Sequence, residues 1–130
     1  MSPTSLPRTF IVDANVLTAL RANQPVVALE SAVITHGLPR PNNLELARQL
    51  EAEVRSQNAT PATIALLRGE VHIGLSDPEL IQLAEAPTPL KISRRDFGLD
   101  VAGAEIGGTT VAGTLIAVGR LNNDQEIVAL

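Results

Sequence analysis

Two strand-like segments of the chain each contain a residue that could take part in chemistry. The apolar segment 26–30, VVALE, ends in the carboxylate of Glu30, and the segment 90–93, LKIS, contains Lys91. A carboxylic acid backed by apolar residues can act as a general acid, and a lysine amine can add to a carbonyl or bind phosphate. Because ligands bind beyond the carboxyl ends of parallel strands, we expect both residues at one pocket there.

Both residues also have a structural interpretation, and the pattern leaves the choice open. Glu30 could form a salt bridge with Arg40 or Arg94 at the end of its strand. Lys91 could be a solvated lysine on a strand edge. Lys91 nevertheless stands out, because it is the only lysine among 10 basic residues. A solvated surface accepts lysine or arginine equally well, so a lone lysine suggests a position that needs the properties of an amine.

Further polar groups lie close to predicted strand ends. The segment 107–110, GGTT, precedes a helical pattern; such a helix start favours an anion such as phosphate, although it often serves only as a cap. His36 could contact a substrate or cap its turn, while His72 is predicted to be exposed on a hairpin.

On the longest predicted helix, three glutamates predict a solvated face and not a metal cluster: Glu45, Glu51 and Glu53.

The elements that must position these residues alternate between strand and helix. Apolar patterns predict strands at 9–12, 26–30, 62–67, 70–73 and 90–93, with another within 122–130. Helices are predicted after caps at Asp13, at Asn42 or Asn43 and at Ser76, and again after a glycine-rich turn at 107–110. The segment 94–105 reads as a loop with a short helix. This order predicts a layered α/β/α fold with a largely parallel sheet plus a β-hairpin, incomplete at the C-terminal end.

Composition narrows the function classes. The chain has 130 residues, 45% of them hydrophobic and 2% aromatic, with a net charge of −4 and no cysteine. The absence of cysteine excludes disulfides, thiolate nucleophiles and cysteine-based zinc sites. Without stacking aromatics or a basic groove, a nucleic-acid partner is not expected. No apolar run reaches membrane-spanning length and no secretory signal is seen, so we expect a single cytoplasmic domain over residues 1–130.

Four segments together resemble a known family. They are VVALESAVITHGLPRPNNLELARQLEAEVR, ATPATIALLRGEVHIGLS, KISRRDFG and GGTTVAGTLIAV. In this order they are similar to the N-terminal half of the pseudouridine-5′-phosphate glycosidases, also called the indigoidine synthase A-like family. The similarity runs from about residue 11 to residue 118, and the segment 119–130 does not resemble the family's continuation.

The resemblance implies an enzyme that cleaves the C–C glycosidic bond of pseudouridine 5′-phosphate to uracil and ribose 5-phosphate, reversibly. Since a C–C bond has no leaving heteroatom to protonate, the family opens the ribose and holds its C1 as a lysine imine. Glu30 matches the family's proton donor. The implied substrate-binding residues are Lys91, Val111, Thr110, Thr109 and His36. The family also implies Mn²⁺ as cofactor and a homotrimer.

The resemblance leaves two functional parts of the family without a counterpart. The family's metal-binding aspartate and imine-forming lysine lie beyond the end of the match, so no residue is assigned to the metal. Lys91 is the only lysine available. The alternative function is therefore a catalytically inactive truncated homologue that at most binds a sugar phosphate. A third possibility is that Lys91 takes the imine role itself.

Overall fold

The computed structural model of the chain describes residues 10–92, 106–121 and 127–129. The predicted loop at 94–105 and Arg94 lie outside these residues. The strands are β1 (Phe10–Val12), β2 (Val26–Leu29), β3 (Thr60–Leu67), β4 (Glu70–Ile73), β5 (Leu90–Ile92), β6 (Ile106–Thr109) and β7 (Ile127–Ala129). The helices are α1 (Ala14–Arg21), α2 (Asn42–Ser56), α3 (Asp77–Ala84) and α4 (Val111–Leu121), with a π-helical turn at Val33–Gly37.

The sheet is built around β3, the longest strand. The path through the described strands is β1-β4-β3-β2-β7, and β6 joins β3 with β5 beside it. Four of the six described strand pairings are parallel, and β3 and β4 form the predicted hairpin through Arg68 and Gly69, both at positive φ. The prediction of a largely parallel sheet with a hairpin is confirmed.

One edge of β3 carries two strands in succession. β2 runs parallel beside the first half of β3, where Leu29 is in register with Thr63. β6 runs antiparallel beside the second half, where Gly108 is in register with Ala65. Because the two strands run in opposite directions along the same edge, their carboxyl ends meet at Ile64. This end-to-end junction fixes the geometry of the candidate site.

The sheet separates two hydrophobic cores, which confirms the three-layer arrangement. Helices α1 and α4 pack on one face, around Val16, Ile64 and Val118. The π-helical turn, α2 and α3 pack on the other face, around Ile34 and Leu83. None of the helices in the described residues combines the length and apolar character that a bilayer-spanning helix needs.

Two of the three predicted N-cap residues are confirmed. Asp13 caps α1, and Ser76 forms a complete capping box with Glu79 at the start of α3. The predicted asparagine cap of α2 is wrong, since Pro41 holds that position without a side-chain bond. Asn43 is instead buried, and its amide donates to the carbonyls of Ile34 (3.1 Å) and Ala84 (2.8 Å). It ties the π-helical turn to α3.

Three other expectations about these elements are wrong. The segment predicted as a glycine-rich turn is strand β6, because Gly107 and Gly108 leave room for close neighbours on both faces. His72 is 3% exposed, since it alternates onto the face that α3 covers. Glu51 is 6% exposed, since the hydroxyl of Thr63 donates to its Oε2 at 2.7 Å.

Candidate functional site at the junction of two strands

Glu30 follows the last residue of β2 and is partly buried. Its Oε1 accepts a hydrogen bond from the backbone N–H of Val33 at 3.3 Å, so the carboxylate caps the π-helical turn. The predicted partner Arg40 donates to the carbonyl of Glu85 instead (3.1 Å). Within the described residues Glu30 forms no ion pair. The second oxygen of Glu30 accepts no hydrogen bond from the described residues.

Ser31 joins the end of β2 to the end of β6. Its backbone N–H donates to the carbonyl of Thr109 (2.9 Å), and its hydroxyl accepts from the N–H of Thr109 (2.8 Å). The same hydroxyl donates to the carbonyl of Ile64 on β3. Ser31 is fully buried, so these bonds form in a low-dielectric environment where they are strong and costly to break. They hold Glu30 at a fixed place relative to β6.

Two threonines extend this hydrogen-bonded junction into α4. The hydroxyl of Thr109 donates to the carbonyl of Ile64 (3.0 Å) and lies 2.8 Å from the hydroxyl of Thr114. Both threonines are 1% exposed. Because the polar groups of Thr109 are all engaged inside the protein, the structure gives it a supporting place in the site. Its assignment as a phosphate ligand stays a prediction.

Thr110 and Val111 form the start of α4 directly beyond this junction. The Thr110 hydroxyl accepts from the N–H of Gly113 (3.1 Å) and caps the helix, while its own N–H donates to the carbonyl of Ile92 (2.9 Å). Val111 is 54% exposed, as is Leu115. Both side chains therefore lie on the solvent side of α4, and the contact of Thr114 with Thr109 sets the rotation of the helix.

Lys91 lies on β5, one strand beyond β6. It is in register with Gly108 and is exposed, while its neighbour Ile92 is buried on the α1 and α4 face. Since successive side chains alternate, Lys91 lies on the opposite face, which the π-helical turn covers. Glu30 caps that same turn. Lys91 and Glu30 therefore both lie next to the π-helical turn, Lys91 on the sheet face that the turn covers and Glu30 at the start of the turn.

His36 is exposed near the end of the π-helical turn. Its Nδ1 lies 2.6 Å from the hydroxyl of Thr35. π-helical turns are uncommon and occur often at functional sites. His36 therefore lies on the element between Glu30 and Lys91, and its role as a substrate contact stays a prediction.

The described residues do not provide a metal site. They contain no group of three or more histidine, cysteine, aspartate or glutamate side chains that could hold an ion. Two open clefts lie elsewhere: one of about 410 Å³ beside Asp13 and Arg55, and one of about 520 Å³ on α2 around Arg48. Neither is lined by a predicted site residue. The shared pocket of Glu30 and Lys91 stays a prediction.

Sequence reasoning missed the residues that support the site, namely Ser31, Thr35 and Thr114. A signal was present, because small hydroxylated residues follow both Glu30 and the glycines of β6. What the sequence did not indicate is that β2 and β6 meet head-on, since this depends on pairing with β3.

Comparisons with known proteins identify the family of the chain. The family model described as "Indigoidine synthase A like protein" matches residues 15–122. The pseudouridine-5′-phosphate glycosidase of Solibacter usitatus is 53% identical over 106 residues, which are 82% of this chain and 36% of the relative. That of Dinoroseobacter shibae is 50% identical over 113 residues, 87% of this chain and 37% of the relative.

A solved structure agrees with this fold. The crystal structure of the prealnumycin C-glycosynthase AlnA in complex with ribulose 5-phosphate superposes with a TM-score of 0.77 at 36% identity, covering 95% of this chain and 38% of that one. The chain thus spans somewhat more than a third of the length of the relatives it matches. By the match over residues 15–122, the chain belongs to the indigoidine synthase A-like family.

Proposed function

We propose that the chain forms the N-terminal part of a pseudouridine-5′-phosphate glycosidase site, with Glu30 as the general acid. The observation that carries this proposal is the junction of β2 and β6, which joins Glu30 to the start of α4 through buried hydrogen bonds of Ser31 and Thr109. The names of relatives that are 50–53% identical support the substrate, and the solved C-glycosynthase supports a sugar phosphate as ligand class.

The proposed chemistry needs an acid that can give and regain a proton. In the cleavage direction an amine forms a bond to C1 as the bond from C1 to the ring oxygen breaks, and the acid gives its proton to that oxygen. The C–C bond from C1 to the base then breaks: C1 becomes an imine of the amine, and the base keeps the bonding electrons and takes up a proton on its carbon. Water hydrolyses the imine to the aldehyde of ribose 5-phosphate and frees the amine. Glu30 suits the first step because its carboxylate is partly buried and, among the described residues, accepts one long hydrogen bond (3.3 Å) from the backbone.

The proposed phosphate position is at the start of α4 beside Lys91. Thr110 caps this helix of 11 residues, and Val111 is exposed at its first position. The N-terminal end of a helix favours an anion, and Lys91 adds a compact positive charge on the neighbouring strand. His36 completes the set from the π-helical turn.

Mn²⁺ does not enter this proposal as a reagent. The described residues offer no set of three ligands, so they do not fit the ion and we derive no step through it. Mn²⁺ binding by the family's remaining portion and a homotrimer are proposals that rest on the family resemblance alone. A cytoplasmic location is a proposal that rests on the sequence features given above.

A second candidate function is sugar-phosphate binding without turnover. It is favoured by the single lysine, because Lys91 would otherwise have to bind phosphate and form the imine. The two candidates share the same binding residues, and they differ in whether a covalent adduct forms.

The test incubates the chain with pseudouridine 5′-phosphate and Mn²⁺ and follows uracil release, with borohydride trapping and mass spectrometry of the protein. If the chain turns over, we expect Glu30→Gln to lower the rate by about 10²- to 10⁴-fold. The control is Glu45→Gln, an exposed glutamate on α2, which should keep the full rate. An adduct on Lys91 would assign the imine to it.

If no uracil is released, thermal stabilisation by ribose 5-phosphate decides between the remaining possibilities. Stabilisation that is lost in Lys91→Gln and kept in the exposed control Arg21→Gln would establish the binding function. A chain that neither releases uracil nor is stabilised by ribose 5-phosphate would refute both candidates.

A further inference from the structure

The π-helical turn carries a hydroxyl and an imidazole in direct contact. Thr35 Oγ1 lies 2.6 Å from Nδ1 of His36 and 3.4 Å from the carbonyl of Ala32. A threonine hydroxyl has one hydrogen to donate, and a helical threonine usually gives it to a carbonyl of the preceding turn. Here the carbonyl is at the limit of a hydrogen bond while the ring nitrogen is well within it. Thr35 can donate its hydrogen to either acceptor, and Nδ1 is the nearer of the two.

This bond determines which ring nitrogen of His36 carries a hydrogen. A neutral imidazole has one N–H donor and one acceptor nitrogen, and the partner of one nitrogen sets the state of the other. When Nδ1 accepts from Thr35, the hydrogen lies on Nε2. His36 is exposed, so a ligand at the surface can reach its side chain.

Thr35 itself is fixed by packing against β6. A Cβ added to Gly108 would lie 2.9 Å from Cγ2 of Thr35 and 2.8 Å from the carbonyl oxygen of Ser31, and it would overlap the Thr35 hydroxyl. The threonine therefore occupies the space that the glycine leaves. Gly108 is in register with Lys91, about 4.8 Å away on the next strand, so the pair lies on the lysine's side of the sheet.

We propose that Thr35 is a positioning residue, which holds His36 as an Nε2–H donor toward the oxygen atoms of a bound sugar phosphate. The inference rests on the proposed function for the identity of this ligand. It assigns His36 a donor role in binding, because an Nε2 that already carries a hydrogen does not act as a base. The bond from Thr35 also reduces the number of ring orientations that binding must restrict.

The first measurement is the tautomer of His36 in the ligand-free chain, read from ¹⁵N shifts of the imidazole nitrogens by NMR at alkaline pH. The chain has two histidines, so the His36→Asn spectrum assigns both signals. We expect the Nε2–H form in the wild type, a mixture of forms in Thr35→Val, and recovery in Thr35→Ser. Thr18→Val, an exposed threonine on α1, is the control and should leave the signals unchanged.

The second measurement is titration of the same variants with ribose 5-phosphate. We expect Thr35→Val to weaken binding by about three- to tenfold, as for one lost hydrogen bond, with recovery in Thr35→Ser. An Nδ1–H form in the wild type, or a Thr35→Val variant with unchanged tautomer and affinity, would overturn the inference. If the wild type has the Nε2–H form but does not bind ribose 5-phosphate, the proposed function fails while the role of Thr35 in fixing the tautomer stands.

Discussion

Glu30 and Glu51 are two carboxylates beside the same stretch of β3, and their surroundings differ. Glu51 is 6% exposed, and its two oxygens accept from Thr63 (2.7 Å) and from Arg55 (3.3 Å). Glu30 follows Leu29, the register partner of Thr63, but it is partly exposed, and within the described part of the chain it accepts one bond, from the backbone of Val33.

The difference separates a structural acid from a candidate catalytic one. A carboxylate withdrawn from water must have its oxygens satisfied, and at Glu51 the protein supplies both partners. At Glu30 the described residues supply one backbone donor, and the second carboxylate oxygen accepts no hydrogen bond from them. A group that is to exchange a proton with a substrate needs that spare capacity. The contrast also predicts that the two regions respond differently to substitution.

The largest effect is expected from Gly108→Ala, which changes the junction of β2 and β6 that positions Glu30. The added methyl would lie 2.8 Å from the carbonyl oxygen of Ser31, which the bonds of the junction hold in place. We expect the free energy of unfolding to fall by about 3 kcal/mol, measured by urea denaturation. The control is Gly37→Ala, whose methyl would meet the side chain of Val33 at 3.0 Å, a neighbour that can adjust. Equal losses in the two variants would show that the junction is not tightly packed.

A smaller effect is expected when the two acids are compared directly. Glu51→Ala leaves the buried hydroxyl of Thr63 without its acceptor, so the free energy of unfolding should fall by about 1–3 kcal/mol. Glu30→Ala removes one long hydrogen bond at a partly exposed position, so its unfolding free energy should change by no more than about 0.5 kcal/mol. Binding of ribose 5-phosphate should show the reverse order. A Glu30→Ala variant destabilised as much as Glu51→Ala would remove the distinction between the two sites.

Local signals in the sequence were sufficient for most elements of the fold. The capping box at Ser76, the cap at Asp13 and the turn at Arg68 are all set by residues within a few positions, and all three are confirmed. The strands predicted from apolar runs within the described residues are confirmed to within two residues. These elements could be predicted because the bonds that define them are local.

The errors fall where distant segments decide the outcome. The glycines of β6 indicate a turn when considered alone, and they form a strand because Thr35 and Ile92 pack against their bare backbone. Glu51 resembles its exposed neighbours on α2, and its burial depends on a threonine 12 residues away on β3. The candidate site was predicted only as two separate strand ends. Their relation depends on the pairing of β2 and β6 with β3, which no local pattern encodes.

The smallest effect is expected from pH, and it concerns the second histidine. His72 is 3% exposed, with its ring nitrogens 3.6 Å from Glu70 and 3.7 Å from Glu79. Burial lowers the pKa of His72, and Arg68 lowers it further, although the carboxylates of Glu79 and Glu70 oppose the shift. The lowered pKa means that the unfolded chain binds this proton more readily than the folded protein does.

Stability from His72 is therefore fully present above the unfolded pKa of about 6.5 and is lost as the pH falls through it toward the folded value. We expect the melting temperature to decrease between about pH 7.5 and pH 5.5 in the wild type, and to decrease less in His72→Gln. Thr18→Val, at an exposed position without a titratable side chain, should keep the wild-type slope. A wild type that gains stability on acidification over this range would contradict this prediction. It would mean that the attraction of Glu70 and Glu79 for a protonated His72 outweighs the cost of burying its charge.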